Sequence, residues 1–457
     1  MPVEIPTTTV NTPAAITVVA SQFAFWSFAL RRPHCQPSHI ENFRHLVAMH
    51  RKDTWVREAF TIMGFFFSIL FAQGQTSPTY VQASEHAGAW RLEGIGGEDD
   101  TLRYALVTHA ASMNSRPGSN RTVHTLDLAL ENGFKVVKIF TPEHGFTGAY
   151  SAGQAVVGES VGGVDIPIVS LYGQHKKPSK EDLEDIDAVF FDLQDVGVRF
   201  YTYISTLTYV MESCAEYHIP LIVLDRPNPF ANVVDGPVLD TAYTSFVGMH
   251  PVPVLYGLTM GEYAQMVKGE SWIKHAEELE LIIAPCVDYH RETVQLPVPP
   301  SPNLPNSHAV ALYPSLCFFE ATPVSVGRGT DAPFEIIGAP WFNANTFSFT
   351  PHSNTGAAHP KFEGKVCYGL DLRNESYFPG NGIHLNYLCD AYQTYKLKGM
   401  ESEAPFFNSF MDKLAGGPEL EKAILRGDSP EAIQETWQPA LRSYQEVRWK
   451  YLLYSEN

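Results

Sequence analysis

The chain has 457 residues and a formal charge of −18 at pH 7, with 32 Lys and Arg against 50 Asp and Glu. That length suits two domains with real cores. Basic runs are short, as at His175-Lys176-Lys177, and phosphate binding needs clustered cations, so the composition argues against a nucleic-acid partner. Six cysteines (Cys35, Cys214, Cys286, Cys317, Cys367 and Cys389) show neither CxxC nor CxxxH spacing. A zinc module and a dense disulfide framework are therefore not indicated.

Near the N-terminus, Arg51, Lys52 and Arg57 precede the apolar run AFTIMGFFFSILFA, Ala59 to Ala72. The run is short for a membrane span and suits the apolar region of an export signal. Ala72 and Gly74 supply small residues before a cleavage point at Gln75, and Met49 stands where such a signal starts. Residues 49–74 thus read as a signal peptide, with the mature protein expected in the periplasm or outside the cell. Residues 1–48 read as a non-native extension from an upstream start; a second membrane segment over Ala14 to Leu30 is the alternative. No lipobox cysteine follows the apolar run, so no lipid anchor is expected.

From Leu102 the chain alternates β-rich runs with helical-length segments. The runs are LRYALVTHA, KVVKIFTPEHG, IPIVSLYG, DAVFFDLQDVG, IPLIVLDRPNP and LELIIAPC. Each is nearly continuous in apolar residues, the pattern of strands covered on both faces. TVHTLDLALENG, SKEDLEDI, TYISTLTYVMESCAEYH and TMGEYAQMVKGE read as helices, several opened by Ser or Thr caps. The expectation is an α/β domain over residues 100–300, a Rossmann-like, doubly wound, mostly parallel sheet. His109, Glu143-His144, Tyr172, Asp195 and Asp225-Arg226 all fall at C-terminal strand ends, the edge where such sheets bind ligands. GIGGEDD precedes the first strand and lacks a dinucleotide fingerprint's setting, and neither a P-loop nor GxSxG is present. No cofactor is expected.

Val298 to Phe342 is rich in Pro, Gly and small polar residues. It reads as poor helix or strand, with residues 301–342 a long ordered crossing that lines the cleft. Arg328, between Gly327 and Gly329, is a candidate to present its guanidinium to a ligand carboxylate. Residues 343–457 carry one strand-like run, KVCYGLDL, and four helical ones, and read as a smaller C-terminal α+β domain.

Read together, PEHGF, SLYGQHKKP, FDLQDVGVRFYTYISTLTYVME, VLDRPNP, DGPVLD, PPSPNLPN, YPSLCFFE and VGRGTDAPFEIIGAPW resemble the NamZ-like exo-β-N-acetylmuramidases. The resemblance covers Leu102 to the C-terminus. It implies a Rossmann-like domain and a smaller domain enclosing a cleft that removes N-acetylmuramic acid from the non-reducing ends of peptidoglycan fragments. The implied partners are peptidoglycan-derived saccharides, with no stable membrane insertion after signal cleavage. A non-catalytic cell-wall sugar or muropeptide binding protein on the same sheet is the alternative. The chain departs from the family pattern at VTHAASMN, at Ala321, where glycine is common, and at Val326, where many relatives carry glutamate; these departures bear on substrate detail.

Glycosidases usually set two carboxyl groups about the scissile oxygen, one of them protonated. Glu143 is the first candidate, on the ligand edge beside His144, which is expected to position a sugar hydroxyl and not a metal. For the second carboxylate, the resemblance favours Glu212. Position argues against it, because a helix leaving the ligand edge carries its third turn roughly 12 Å or more away at about 1.5 Å per residue. Asp195 is better placed, either as the catalytic partner or orienting the substrate's 2-acetamido group, with Asp192 and Glu320 as further candidates. Arg199, Arg226 and Arg328 are candidates for the lactyl carboxylate of muramic acid, and Asp225 is a further binding candidate. Tyr201 and Tyr203 either stack on the sugar or belong to the core.

Overall fold

In the computed structural model, the described residues are 81–93, 101–116, 121–143, 145–146, 166–291, 294–296, 298–343, 347–375 and 382–455. The proposed export signal and the residues before it lie outside them. Six strands form one parallel sheet: β1 (Arg103–Val107), β2 (Lys135–Thr141), β3 (Ile168–Ser170), β4 (Ala188–Phe191), β5 (Leu221–Leu224) and β6 (Leu281–Ala284). Their order across the sheet is β3-β2-β1-β4-β5-β6. The direction of winding reverses between β1 and β4, which opens a crevice at their C-terminal ends.

The apolar runs are double-sided, as expected. Ala105 and Val107 of β1 point into one core with Phe140, Val189, Phe191 and Val223; Tyr104 and Leu106 point into the other with Ile139, Phe190 and Leu224. Helix α1 (Thr125–Glu131) covers the second face, and α2 (Tyr203–Tyr217) and α3 (Met260–Gly269) the first. Helix α3 opens with the capping box that its sequence suggests: Thr259 Oγ1 accepts from the Glu262 N–H, and the Glu262 carboxylate accepts from the Thr259 N–H.

Two local expectations are corrected. SKEDLEDI forms capped turns and no helix: Asp182 accepts from the Ser179 N–H and the Ser179 hydroxyl from the Asp182 N–H, but Asp185 turns left-handed at φ +63 and ends the segment. The crossing is more regular than its prolines suggest. It holds α4 (Ser307–Leu316), capped by Asn306, then a 3-10 turn (Cys317–Ala321) and β7 (Ile336–Ala339). Burial of every residue from Ala309 to Leu316 outweighs Pro314, which sits in the last turn of α4.

The rest of the chain adds β8 (Ser348–Phe349) and β9 (Cys367–Asp371), which pair with β7 in an antiparallel sheet of order β7-β9-β8. Helices α5 (Asn386–Leu397), α6 (Phe410–Ala415), α7 (Glu419–Arg426) and α8 (Pro430–Arg448) follow. Past α8 the tail returns to the large sheet. Leu453 N–H donates to Glu262 Oε1 at 2.8 Å, and Tyr454 Oη to Asp225 Oδ2 at 2.7 Å. Among the described residues no helix is long and apolar enough to cross a membrane.

Candidate active site

Strand β2 ends at Pro142, which has no N–H with which to continue a ladder. The chain turns there, closed by the Gly145 N–H on the Pro142 carbonyl at 3.2 Å, with Gly145 at φ +72. Glu143 is thereby set at the C-terminal edge of the sheet. Its carboxylate accepts from Thr202 Oγ1 at 3.4 Å, at the start of α2, and from the Tyr172 hydroxyl. Burial first, then the Glu143 carboxylate, pushes the Tyr172 phenol well up, so Tyr172 remains a donor. His144 lies outside the described residues.

Glu143 lines a cavity with Phe200, Tyr201, Thr202 and Tyr203 before and at the start of α2, Ser301, Asn303 and Leu304 from the crossing, Tyr313 of α4, and Arg328 and Phe334. Tyr201 and Tyr203 therefore belong both to the core and to the cavity wall. Both hydroxyls donate to the Pro300 carbonyl, at 2.9 and 3.4 Å. Gln194 N–H donates to His109 Nε2 at 3.3 Å, which leaves His109 Nδ1 to carry the hydrogen and donate to Tyr203 Oη at 3.2 Å.

Arg328 is held at three points. Its Nε donates to Glu320 Oε1 at 2.6 Å, its guanidinium carbon lies 5.0 Å from the centroid of Phe334, and Gly327 and Gly329 flank it at φ +77 and +80. Behind Glu320, Lys361 Nζ donates to the carbonyls of Phe319, Thr322 and Val324 at 3.1, 2.6 and 2.9 Å. Burial works against the Glu320 charge, but Arg328 and Lys361 outweigh it and hold the carboxyl below its ordinary value. Glu320 is thus an ionised support for Arg328.

Four other candidates are used up inside the fold. Asp192 and Arg226 form a buried ion pair, and Arg226 also donates to the Met113 carbonyl and Asn114 Oδ1 at 3.0 Å each. Arg199 donates to the Pro237, Val252 and Leu414 carbonyls at 2.7, 2.8 and 2.7 Å and ties the large sheet to α6; burial lowers its pKa to about 9. Asp225 accepts from Thr259 Oγ1 at 2.7 Å, the Gly261 N–H at 2.8 Å and Tyr454 Oη at 2.7 Å, and burial raises its pKa to about 6. Arg199, Arg226, Asp192 and Asp225 hold the fold together and do not line the cavity.

Glu212 is placed on the outer part of α2, 3.5 Å from Lys177 Nζ, and is not among the cavity-lining residues. Asp195 is buried just behind them. Tyr256 Oη and the Gly197 N–H donate to its Oδ2, while its Oδ1 has no hydrogen-bond partner among the described residues. Burial lifts Asp195 to a pKa of about 7 against these two donors. Gly197, at φ +76, is fixed by space as well as conformation, since a Cβ there would stand 1.9 Å from Asn228 Oδ1. Among the described residues no cluster of three or more His, Cys, Asp or Glu is arranged to hold a metal. The sequence did not single out Thr202, Ser301, Asn303 or Lys361, nor Phe200, Leu304, Tyr313 and Phe334 of the cavity wall. Thr202 stood inside FDLQDVGVRFYTYISTLTYVME, and Ser301 and Asn303 inside PPSPNLPN, whereas Lys361 stood in no motif.

Comparison with known proteins bears on this arrangement directly. Residues 104–308 match the family model described as exo-beta-N-acetylmuramidase NamZ, N-terminal, and residues 311–454 match its C-terminal counterpart. The chain belongs to the NamZ family. It is 35% identical over 375 residues to the peptidoglycan beta-N-acetylmuramidase NamZ of Bacillus subtilis strain 168, covering 77% of this chain and 87% of that protein. Crystal structures of two DUF1343 family proteins from Bacteroides fragilis share the fold. One has a TM-score of 0.71 at 38% identity, covering 81% of this chain and 99% of its own; the other has 0.68 at 25%, covering 82% and 100%. The NamZ match spans both the sheet that carries Glu143 and the crossing that carries Arg328. Of the family departures noted in the sequence, Ala321 is fully buried and Val326 nearly so.

Proposed function

We infer that this protein is an exo-acting glycoside hydrolase that removes β-linked N-acetylmuramic acid from the non-reducing end of peptidoglycan fragments. The observation that carries the reading is one cavity lined by both Glu143 and Arg328 in a NamZ-family chain. Glu143 gives its proton to the glycosidic oxygen as the bond from that oxygen to C1 breaks, and water then supplies the new hydroxyl at C1, its other proton restoring the Glu143 acid for the next cycle. Arg328, oriented through Nε by Glu320, pairs its Nη groups with the lactyl carboxylate that separates muramic acid from glucosamine. Of the three candidate arginines, Arg328 is the one on the cavity wall. Release of N-acetylmuramic acid from soluble peptidoglycan fragments tests the reading; an intact fragment pool after long incubation with purified protein removes it.

We also propose that the protein works outside the cytoplasm, on the strength of the basic residues, apolar run and Ala72-x-Gly74 site within residues 49–74. A role in cell-wall turnover and muropeptide recycling follows from that location and the substrate.

A further inference from the structure

A general acid for glycoside cleavage stands between two sugars, because the oxygen it protonates bridges them. Glu143 touches two different neighbourhoods. Thr202 belongs to the cavity that also holds Arg328, whereas Tyr172, on the turn after β3, donates to the same carboxylate but is not among the residues lining that cavity. At Phe246 three aromatic rings from distant parts of the chain meet, Tyr172 among them. The Tyr172 and Phe246 ring centroids are 6.3 Å apart, and Phe246 lies 6.1 Å from Tyr209 of α2 at an interplanar angle of 15°. Lys176 Nζ stands 4.7 Å from the Phe246 centroid. Phe246 is presented at the tip of a tight turn closed by two hydrogen bonds between Ser245 and Gly248, at 2.9 and 3.0 Å. All three rings remain half-buried, while Tyr201, Tyr203, Tyr256 and Tyr263 nearby are buried.

We propose that Tyr172, Phe246 and Tyr209, with the Lys176 ammonium over the Phe246 ring, form the subsite for the sugar on the leaving side of the cleaved bond. The inference rests on the muramidase reading of Glu143. If the Arg328 cavity holds the muramic acid that is released, the leaving pyranose must lie across Glu143 from it, on the Tyr172 side. Aromatic rings suit the apolar C–H face of a pyranose, and the Lys176 ammonium, held over the Phe246 ring, donates to its hydroxyls or acetamido carbonyl. The glycine-bounded turn bearing Phe246 sits apart from the reacting atoms, so Phe246 shapes binding of the leaving sugar and leaves proton delivery to Glu143.

The test compares two substrates with the same muramic acid and different leaving groups: N-acetylmuramyl-β-1,4-N-acetylglucosamine and methyl N-acetyl-β-muramide. Phe246→Ala is expected to lower kcat/KM on the disaccharide about tenfold, the scale of one aromatic contact, and to change the methyl glycoside less than about twofold. Phe246→Tyr keeps the ring and should restore the disaccharide rate, which separates loss of the platform from loss of fold. Equal losses on both substrates, or an unchanged disaccharide rate in Phe246→Ala, overturn the subsite while leaving the muramidase reading intact. A wild-type protein that cleaves neither substrate overturns that reading, and the subsite with it.

Discussion

Arg328 spends its Nε on Glu320, at 2.6 Å, while lining the cavity that Glu143 also lines. The pair converts a flexible cation into an oriented one, since a guanidinium fixed at Nε presents its two Nη groups in one plane. Arg328→Ala should therefore cost about 1.5–3 kcal/mol in transition-state binding on a muramide and little on a glucosaminide with the same leaving group. Glu320→Gln should show a weaker form of the same selectivity. Steady-state kcat/KM on the two substrates checks both; equal losses would assign Arg328 to general stability.

Arg226 gives the opposite expectation. Removing it leaves the Asp192 carboxylate buried without its cation, so Arg226→Ala should lose about 3–5 kcal/mol of stability, and its activity should track the folded fraction. Urea denaturation followed alongside activity separates this from a defect in substrate selection.

The tail clasp is testable by a single hydroxyl. Tyr454→Phe removes the donor to Asp225 Oδ2 and the acceptor for the Cys286 N–H, both buried. A loss of about 1–3 kcal/mol is expected from the unpaired groups, read as a lower denaturant midpoint.

Much of this architecture is readable along the chain, for identifiable reasons. The inner strands β1, β4 and β5 are buried on both faces and write themselves as unbroken apolar runs, and Pro142 with Gly145 marks where β2 must turn and leave Glu143 at the edge. What local sequence could not resolve is partner choice at long range. Arg199, Arg226 and Arg328 look alike as letters; they differ because carbonyls as far apart as Pro237 and Leu414 consume the first, Asp192 the second, and Glu320 only one nitrogen of the third. Asp192 and Asp195 lie three residues apart, yet one meets Arg226 and the other Tyr256. Lys361 stands in a stretch with no motif, and its role appears only when three carbonyls converge on it. Helix α4 was hidden because prolines are visible in sequence and burial is not.

Asp195 sets a pH dependence with a definite sign. Its folded pKa of about 7 lies above the ordinary carboxyl value of 3.8 because burial disfavours the charge. The protonated form contributes stability that is complete below 3.8 and is lost as pH rises through about 7. Asp195→Asn removes that titration, so its stability relative to wild type should be most favourable near pH 8 and least so near pH 4. Thermal melts across that range check it; a difference between the two proteins that does not change with pH would contradict it.

Export predicts a mature chain beginning at Gln75. N-terminal sequencing of protein recovered from the periplasm or medium should find that residue, and a recovered chain still carrying residues before Met49 would overturn both the start and the cleavage point.

The most direct measurement is turnover by Glu143→Gln on a muramide substrate. Glutamine is nearly isosteric, keeps oxygen to accept from Thr202 and Tyr172, and has no proton to give to the leaving oxygen. The rate should fall by at least about 10²–10⁴-fold with the melting temperature and substrate binding preserved. A variant that folds and binds as wild type and keeps more than about a tenth of its rate would show that Glu143 is not the acid.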